Sequence, residues 1–262
     1  MYKQEEQKET DYMLLVDTAV LAGEIMLESG AEAYRVEDTI SHFLRTANLK
    51  HAQVFVTMTG IIATLSDPSI EAITVVRRVS KRSTNLNKIY LVNDVSRKFS
   101  GNEIELKDAF HELKQIRQRE QYSIKVKSFG IVLTSAFFCM LLGGNLYETA
   151  IAAVIGTLLS FLIWAGRKIG LQGFLLDGVN TLLVVFAAMV IGYFIELPVR
   201  TDMIIIGGIM PMVPGVAITN AIRDTLQGDY VSGGARMMEA CMEAGAIAFG
   251  ACVGIFLFNR VI

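Results

Sequence analysis

Gly207-Gly208-Ile209-Met210-Pro211-Met212-Val213-Pro214-Gly215-Val216-Ala217-Ile218-Thr219-Asn220-Ala221-Ile222-Arg223-Asp224 starts inside a long apolar run and ends in a polar cluster. Pro211 and Pro214 each remove a backbone donor and clash with the turn before them. An unbroken helix is therefore not expected across Pro211–Gly215. In a membrane, backbone groups freed in this way are tolerated only where they face protein or a water-lined cavity. Broken helices near mid-membrane are also a common way to build a transporter site. A kink that only shapes packing is the alternative, because prolines are frequent in membrane helices.

The surrounding chain fits a membrane setting. Hydrophobic residues make up 52% of its 262 residues, and the mean hydropathy is +0.44, too apolar for an ordinary soluble domain. Of the 24 basic and 26 acidic side chains, 17 and 18 lie within residues 1–126. A polar, near-neutral domain (1–126) thus precedes a membrane domain (127–262). Five apolar runs, near 128–147, 149–166, 175–196, 203–222 and 238–258, approach the roughly 20 residues that cross a bilayer. The fold expected is an α-helical multi-pass membrane protein, its fourth of five spans broken at Pro211–Gly215, with an N-terminal cytosolic α/β domain.

Positive charge orients the spans. Lys114, Arg117, Arg119, Lys125 and Lys127 precede the first, Arg167 and Lys168 follow the second, and Arg223 and Arg236 flank the loop after the fourth. If all five runs cross, these sets share one side. The N-domain is then cytoplasmic, the C-terminus lies outside, and the site of residence is the cell (inner) membrane. Glu148, Glu196 and Asp202 fall at outer boundaries, where water accounts for them. Asp177 with Asn180, Asn220 with Arg223 and Asp224, and Glu239 with Glu243 all fall near the cytoplasmic face. They can converge into one polar mouth below the proline break, or serve as helix caps and headgroup contacts. Arg223 suits an anionic substrate carboxylate, and the Glu239/Glu243 pair suits a proton carrier. The glycines at 207, 208, 233, 234, 245, 250 and 254 permit close helix contact, and the small residues of the last run suit a partner subunit.

In the N-domain, residues 12–48 carry a helical apolar stripe through Leu15, Ala19, Ala22 and Met26, continued by Ala33, Val36, Ile40, Phe43 and Ala47. Ser29 and Glu32 have capping-box spacing, so a second helix starts there or one helix bends. Glu32, Arg35, Glu37 and Asp38 form a charged motif, either a solvated face of ion pairs or a ligand or acid–base site. Residues 53–66 alternate as a strand with a bulge or turn at Gly60. Asp67-Pro68-Ser69 is a turn, and Ala72–Arg78 a returning strand. Residues 79–86 form a polar connector, then Leu86–Phe99 and Glu103–Tyr122 read as helices.

No nucleotide motif, phosphate loop or nucleophile elbow is present, so no cofactor is expected. His42, His51 and His111 are scattered, and Cys139, Cys241 and Cys252 lie in apolar runs, which gives neither a metal site nor a disulfide framework. The net charge of −2 gives no basic patch for nucleic acid. The acidic N-terminus lacks the apolar core of a signal peptide.

Ser29-Gly30-Ala31-Glu32-Ala33-Tyr34-Arg35-Val36-Glu37-Asp38-Thr39-Ile40, Val56-Thr57-Met58-Thr59-Gly60-Ile61, the run from Pro211 to Asp224, and Gly228-Asp229-Tyr230-Val231-Ser232-Gly233-Gly234-Ala235-Arg236 together resemble the threonine/serine exporter family, over about residues 10–258. The family has single-chain members of about ten spans and split systems. The chain resembles the longer subunit of the split form. The resemblance implies an oligomeric exporter, not an enzyme, partnered by a separate short multi-span membrane subunit. Split members of this kind are associated with succinate, so the implied substrate is a dicarboxylate or a small hydroxy amino acid, moved with an ion or proton. Two readings compete with the exporter: a membrane-anchored hydrolase using Glu32, Glu37 or Asp38, and a regulatory or assembly subunit with the N-domain as a sensor.

Overall fold

The computed structural model describes residues 2–80, 83–171 and 173–262, with side chains from Asp11 onward. Lys81 and Arg82 of the expected connector lie outside the described residues. The chain divides into two compact units. The first comprises Met1–Gln121 with Val216–Met237, and the second comprises Tyr122–Gly215 with Met238–Ile262.

The first unit is built around α1 (Tyr2–Glu28). Its second half is buried on almost every side, with Val16, Ala19, Val20, Ala22 and Met26 each 0% exposed. The sequence stripe is therefore one side of a helix that is apolar nearly all round, as a core helix must be. Helix α2 (Ala33–Arg45) follows a break at Ser29–Glu32, which excludes one bent helix. Gly30 makes the corner with φ 85°, a left-handed value that glycine tolerates best. The capping box does not form: Glu32 is the N-cap of α2 but makes no side-chain cap bond.

Strands β1 (His51–Thr57), β2 (Gly60–Asp67) and β3 (Ile70–Arg78) form an antiparallel meander. Thr57 pairs with Gly60, so Gly60 ends a tight turn and the expected long strand is two strands. Ile61, Ala63 and Leu65 face the core, while Phe55, Ile62 and Val76 form an exposed cross-strand row. Helices α3 (Leu86–Ser100) and α4 (Leu106–Gln118) complete this shell. Val92, Ala109 and Leu113, all 0% exposed, seal it.

The second unit begins with α5 (Ile124–Leu141), α6 (Leu146–Lys168) and α7 (Phe174–Phe194). The first expected span, 128–147, is cut short because Gly143 takes φ 95° and Asn145 caps α6. Next comes α8 (Thr201–Ile209), then a 3-10 turn, Met210–Met212. Helix α9 (Gly215–Leu226) restarts at a 56° bend, which is the expected proline break. The last helix, α10 (Tyr230–Val261), starts earlier than the expected 238. Among the described residues, four helices are long and apolar enough to cross a membrane, and a fifth span results if the bent pair counts as one.

Helix α8 packs against α5, α6 and α7. Ile155, Leu159, Val184 and Ile204 form the centre of that packing. Gly207 allows the contact: a Cβ there would lie 2.7 Å from Ser135 O and 2.7 Å from Cys139 Cβ. A backbone oxygen cannot move aside, so Gly207→Val overpacks the α5–α8 seam by about 1–3 kcal/mol or more. The expected outcome is a lower melting temperature in detergent. Gly245→Ala, where an added Cβ meets nothing within 4 Å, leaves it unchanged.

Candidate functional site

Helix α9 carries Asn220 and Asp224 four residues apart, hence on one face, with Arg223 beside them. The Gly228 turn (φ 90°) returns the chain into α10. There Asp229 Oδ1 accepts the Ser232 N–H at 3.0 Å as a helix cap. Gly233 lets the two helices close up, since a Cβ would stand 3.0 Å from Ala221 O. Arg236, one turn further along α10, can then reach Asp224.

All four side chains contact the α1–α2 corner within the first unit. Asn220 Nδ2 donates to Gly30 O at 2.8 Å, and Arg236 Nη2 donates to Ala31 O at 2.6 Å. Asp224 Oδ1 accepts the Ala33 N–H at 3.2 Å, supplying from α9 the cap that α2 lacks locally. Arg223 Nη1 donates to Glu32 Oε1 at 2.7 Å, while Arg35 Nη1 reaches Glu32 Oε2 at 3.3 Å. Arg236 Nε sits 2.9 Å from Asp224 Oδ2, an ion pair without hydrogen-bond alignment. Asp224 is 1% exposed, Glu32 4% and Arg236 6%. The corner is thus clamped at three backbone groups, Gly30 O, Ala31 O and the Ala33 N–H, and at the Glu32 carboxylate.

The charged motif of the N-domain divides three ways. Glu32 joins the clamp. Glu37 Oε1 accepts the Val56 N–H at 3.0 Å and ties α2 to β1. Asp38 is exposed, with His42 Nε2 at 3.5 Å. The residues of the motif thus face different neighbours.

Burial pushes the Glu32 carboxyl upward, but its own backbone N–H, Arg223 and Arg35 together outweigh that and hold it below the usual range. A lowered value means that the stabilisation is full above the unfolded-state value and lost as pH falls through the folded-state value. Glu32→Gln is therefore expected to lose stability most at neutral pH and to converge with wild type in strong acid. Melting temperature followed from pH 7 downward checks this.

The other expected site residues lie in the second unit. Asn180 on α7 is 2% exposed, and its Nδ2 has no acceptor among the described residues. Its neighbour Thr181 donates to Asp177 O at 2.7 Å and stands 3.9 Å from Met212 Sδ. This places Thr181, the residue after Asn180, against Met212 of the turn that contains Pro211. Pro214 and Gly215 follow, with the Gly215 N–H on Val213 O at 2.8 Å. Glu239 and Glu243 are half-buried on α10, and the clamp residues belong to the other unit.

Two groups escaped the sequence reading. Arg236 served there only as an orientation marker, although it sits in the Gly228–Arg236 motif. Glu148 was assigned to water. It is 0% exposed: Oε2 accepts the Asn145 N–H and Oε1 the Arg200 N–H, both at 2.7 Å. The Arg200 guanidinium adds an ion pair at 3.3 Å and a bond to Gly143 O. No local spacing announces a partner this far along the chain. Among the described residues, no group of three or more His, Cys, Asp or Glu could hold a metal ion.

Comparison with known proteins agrees with this architecture. A family model described as "Putative threonine/serine exporter" matches residues 17–258. A protein of Mycobacterium tuberculosis (strain ATCC 25618 / H37Rv) named "Probable threonine/serine exporter" is 22% identical over 247 residues, covering 92% of this chain but 46% of that protein. The chain therefore spans less than half the length of this relative. No solved structure matches it. The match runs through both units and across the broken helix, and the chain belongs to the threonine/serine exporter family, as a multi-pass membrane protein.

Proposed function

We propose that this chain is the principal module of an inner-membrane exporter for a small carboxylate-bearing metabolite. Substrate contact is made at the helix break of the second unit. The observation that carries this reading is Asn180: a buried amide donor without an acceptor, on the helix whose next residue touches Met212 of the break. An unpaired buried donor is costly, and a substrate carboxylate or its water would satisfy it. Asp177 and the carbonyls freed at Pro211–Gly215 would complete the contact, as in other broken-helix sites. Glu239 and Glu243 serve coupling or gating.

Asn220, Arg223 and Asp224 take a different role from direct substrate binding. Each already has a partner in the α1–α2 corner: Asn220 at Gly30 O, Arg223 at Glu32 and Asp224 at the Ala33 N–H. Helix α9 follows the break in the chain, and its polar face is held by the α1–α2 corner. The chain leaves the first unit at Gln121 and re-enters it at Val216. If the bent pair counts as one span, α5, α6, α7, that pair and α10 make five crossings. Together with the Lys/Arg distribution this supports a cytoplasmic first unit and an outer C-terminus.

Threonine and serine are the first substrates proposed, from the relative's name, with a succinate-like dicarboxylate as the second arm of the test. The length of that relative outside the match supports a further membrane module, which we propose is supplied by a separate short subunit. Counterflow in proteoliposomes, with and without such a subunit co-expressed, tests the function. Labelled threonine, serine or succinate should exchange with the pair present. Failure of all three would remove the reading.

A further inference from the structure

The first unit holds a second polar cleft that the clamp does not use. It lies between α2 and α3 and has a volume of about 380 Å³, at the small end of small-molecule sites. Its walls are opposed in charge. Asp38 comes from α2, and Arg97 comes from α3. They do not pair with each other, and among the described residues Arg97 has no carboxylate partner. Asp38 has only His42, at 3.5 Å across an exposed edge.

The floor is polar and buried. Thr39 is 5% exposed and Ser96 6%. The Thr39 hydroxyl donates to Arg35 O at 2.9 Å and lies 3.4 Å from Asn93 Oδ1. Beyond this floor Phe43 and Phe99 stack with ring centroids 5.2 Å apart, so the cleft is closed underneath by apolar packing. Its rim is the end of α3, at Ser100 and Gly101. The Arg97, Lys98 and Phe99 carbonyls there already accept the Gly101, Glu103 and Asn102 N–H groups.

We propose that this cleft is a binding site for a small zwitterion of the amino-acid class, with Arg97 receiving the carboxylate and Asp38 the ammonium. A guanidinium suits a planar carboxylate. Asp38 suits an ammonium and repels a second carboxylate. The polar floor suits a side-chain hydroxyl. A dicarboxylate of the same size meets the wrong charge at one end, so the cleft discriminates between the two substrate classes that the transport reading leaves open. The site belongs to the first unit alone. It gives that unit a means of sensing the amino-acid level independently of the translocation path.

The test is hydrogen exchange on the full-length protein in detergent, with L-threonine and succinate as separate probes. L-threonine is expected to slow exchange in Ala33–Arg45 and Leu86–Ser100, and succinate is not. Arg97→Ala and Asp38→Asn, both at exposed positions, should weaken the threonine effect by about tenfold or more and leave α1 protection intact. Asn180→Ala, which disables the proposed path, should keep it in full. The failure of this site is therefore distinguishable from failure of the transport reading. The proposal is overturned if threonine leaves α2 and α3 unchanged, if protection survives both cleft variants, or if succinate protects equally.

Discussion

Asp224→Ala is expected to destabilise the first unit by about 3 kcal/mol, the low end of the range for breaking a buried ion pair. The carboxylate is 1% exposed and performs two tasks. It caps α2 through the Ala33 N–H, and it lies 2.9 Å from Arg236 Nε. Without it, Arg236 stays buried as an unpaired charge, though the Ala31 carbonyl still holds Nη2 at 2.6 Å, which keeps the loss at that low end. Arg223→Ala should cost much less, about 0–1 kcal/mol, because the Arg223 side chain is 58% exposed and Arg35 still faces Glu32. Adding Arg236→Met to Asp224→Ala removes the stranded charge and should recover much of the loss. Thermal denaturation in detergent, with exchange at Ala31–Ala33, gives the order. Equal losses for Asp224→Ala and Arg223→Ala would mean that the clamp contributes no more than a surface pair.

The second large effect belongs to the other unit. Glu148→Ala should cost about 2–3 kcal/mol, the desolvation penalty of donors left without an acceptor. Two backbone N–H groups, of Asn145 and Arg200, lose their acceptor together. The capping box of α6 goes with them, because Asn145 keeps only its half of the exchange. Glu148→Gln retains one carbonyl oxygen and should lose about half as much. A variant panel scored by melting temperature checks the order, alanine below glutamine below wild type. A Glu148→Ala protein as stable as wild type would return Glu148 to the role of a hydrated boundary residue.

The sequence showed most of what is local. The lengths of the apolar runs gave the membrane helices, because crossing a bilayer demands length and apolarity together. Pro211 and Pro214 gave the break, because a missing donor acts on the nearest turn. What the sequence hid is long-range. The Glu32–Arg223 and Ala33–Asp224 contacts each join residues 191 apart, and helical spacing carries no information about such partners. Local logic also misled at two points. Ser29 and Glu32 have capping-box spacing, but Gly30 turns the chain and the cap comes from α9 instead. Glu148 lies at the end of an apolar run, yet Arg200 lets it be buried. The candidate site was thus legible as residues and not as an arrangement.

The central claim is that substrate meets the protein beside the broken helix, through Asn180. The most direct measurement is labelled-threonine counterflow with Asn180→Ala, reconstituted beside wild type at matched, monodisperse protein and with the proposed membrane subunit co-expressed. The account predicts at least about a tenfold loss of exchange, as expected when a site built to hydrogen-bond its substrate loses that bond, with hydrogen exchange of Gly30–Ala33 unchanged. Wild-type exchange by the variant, at equal protein, would contradict it.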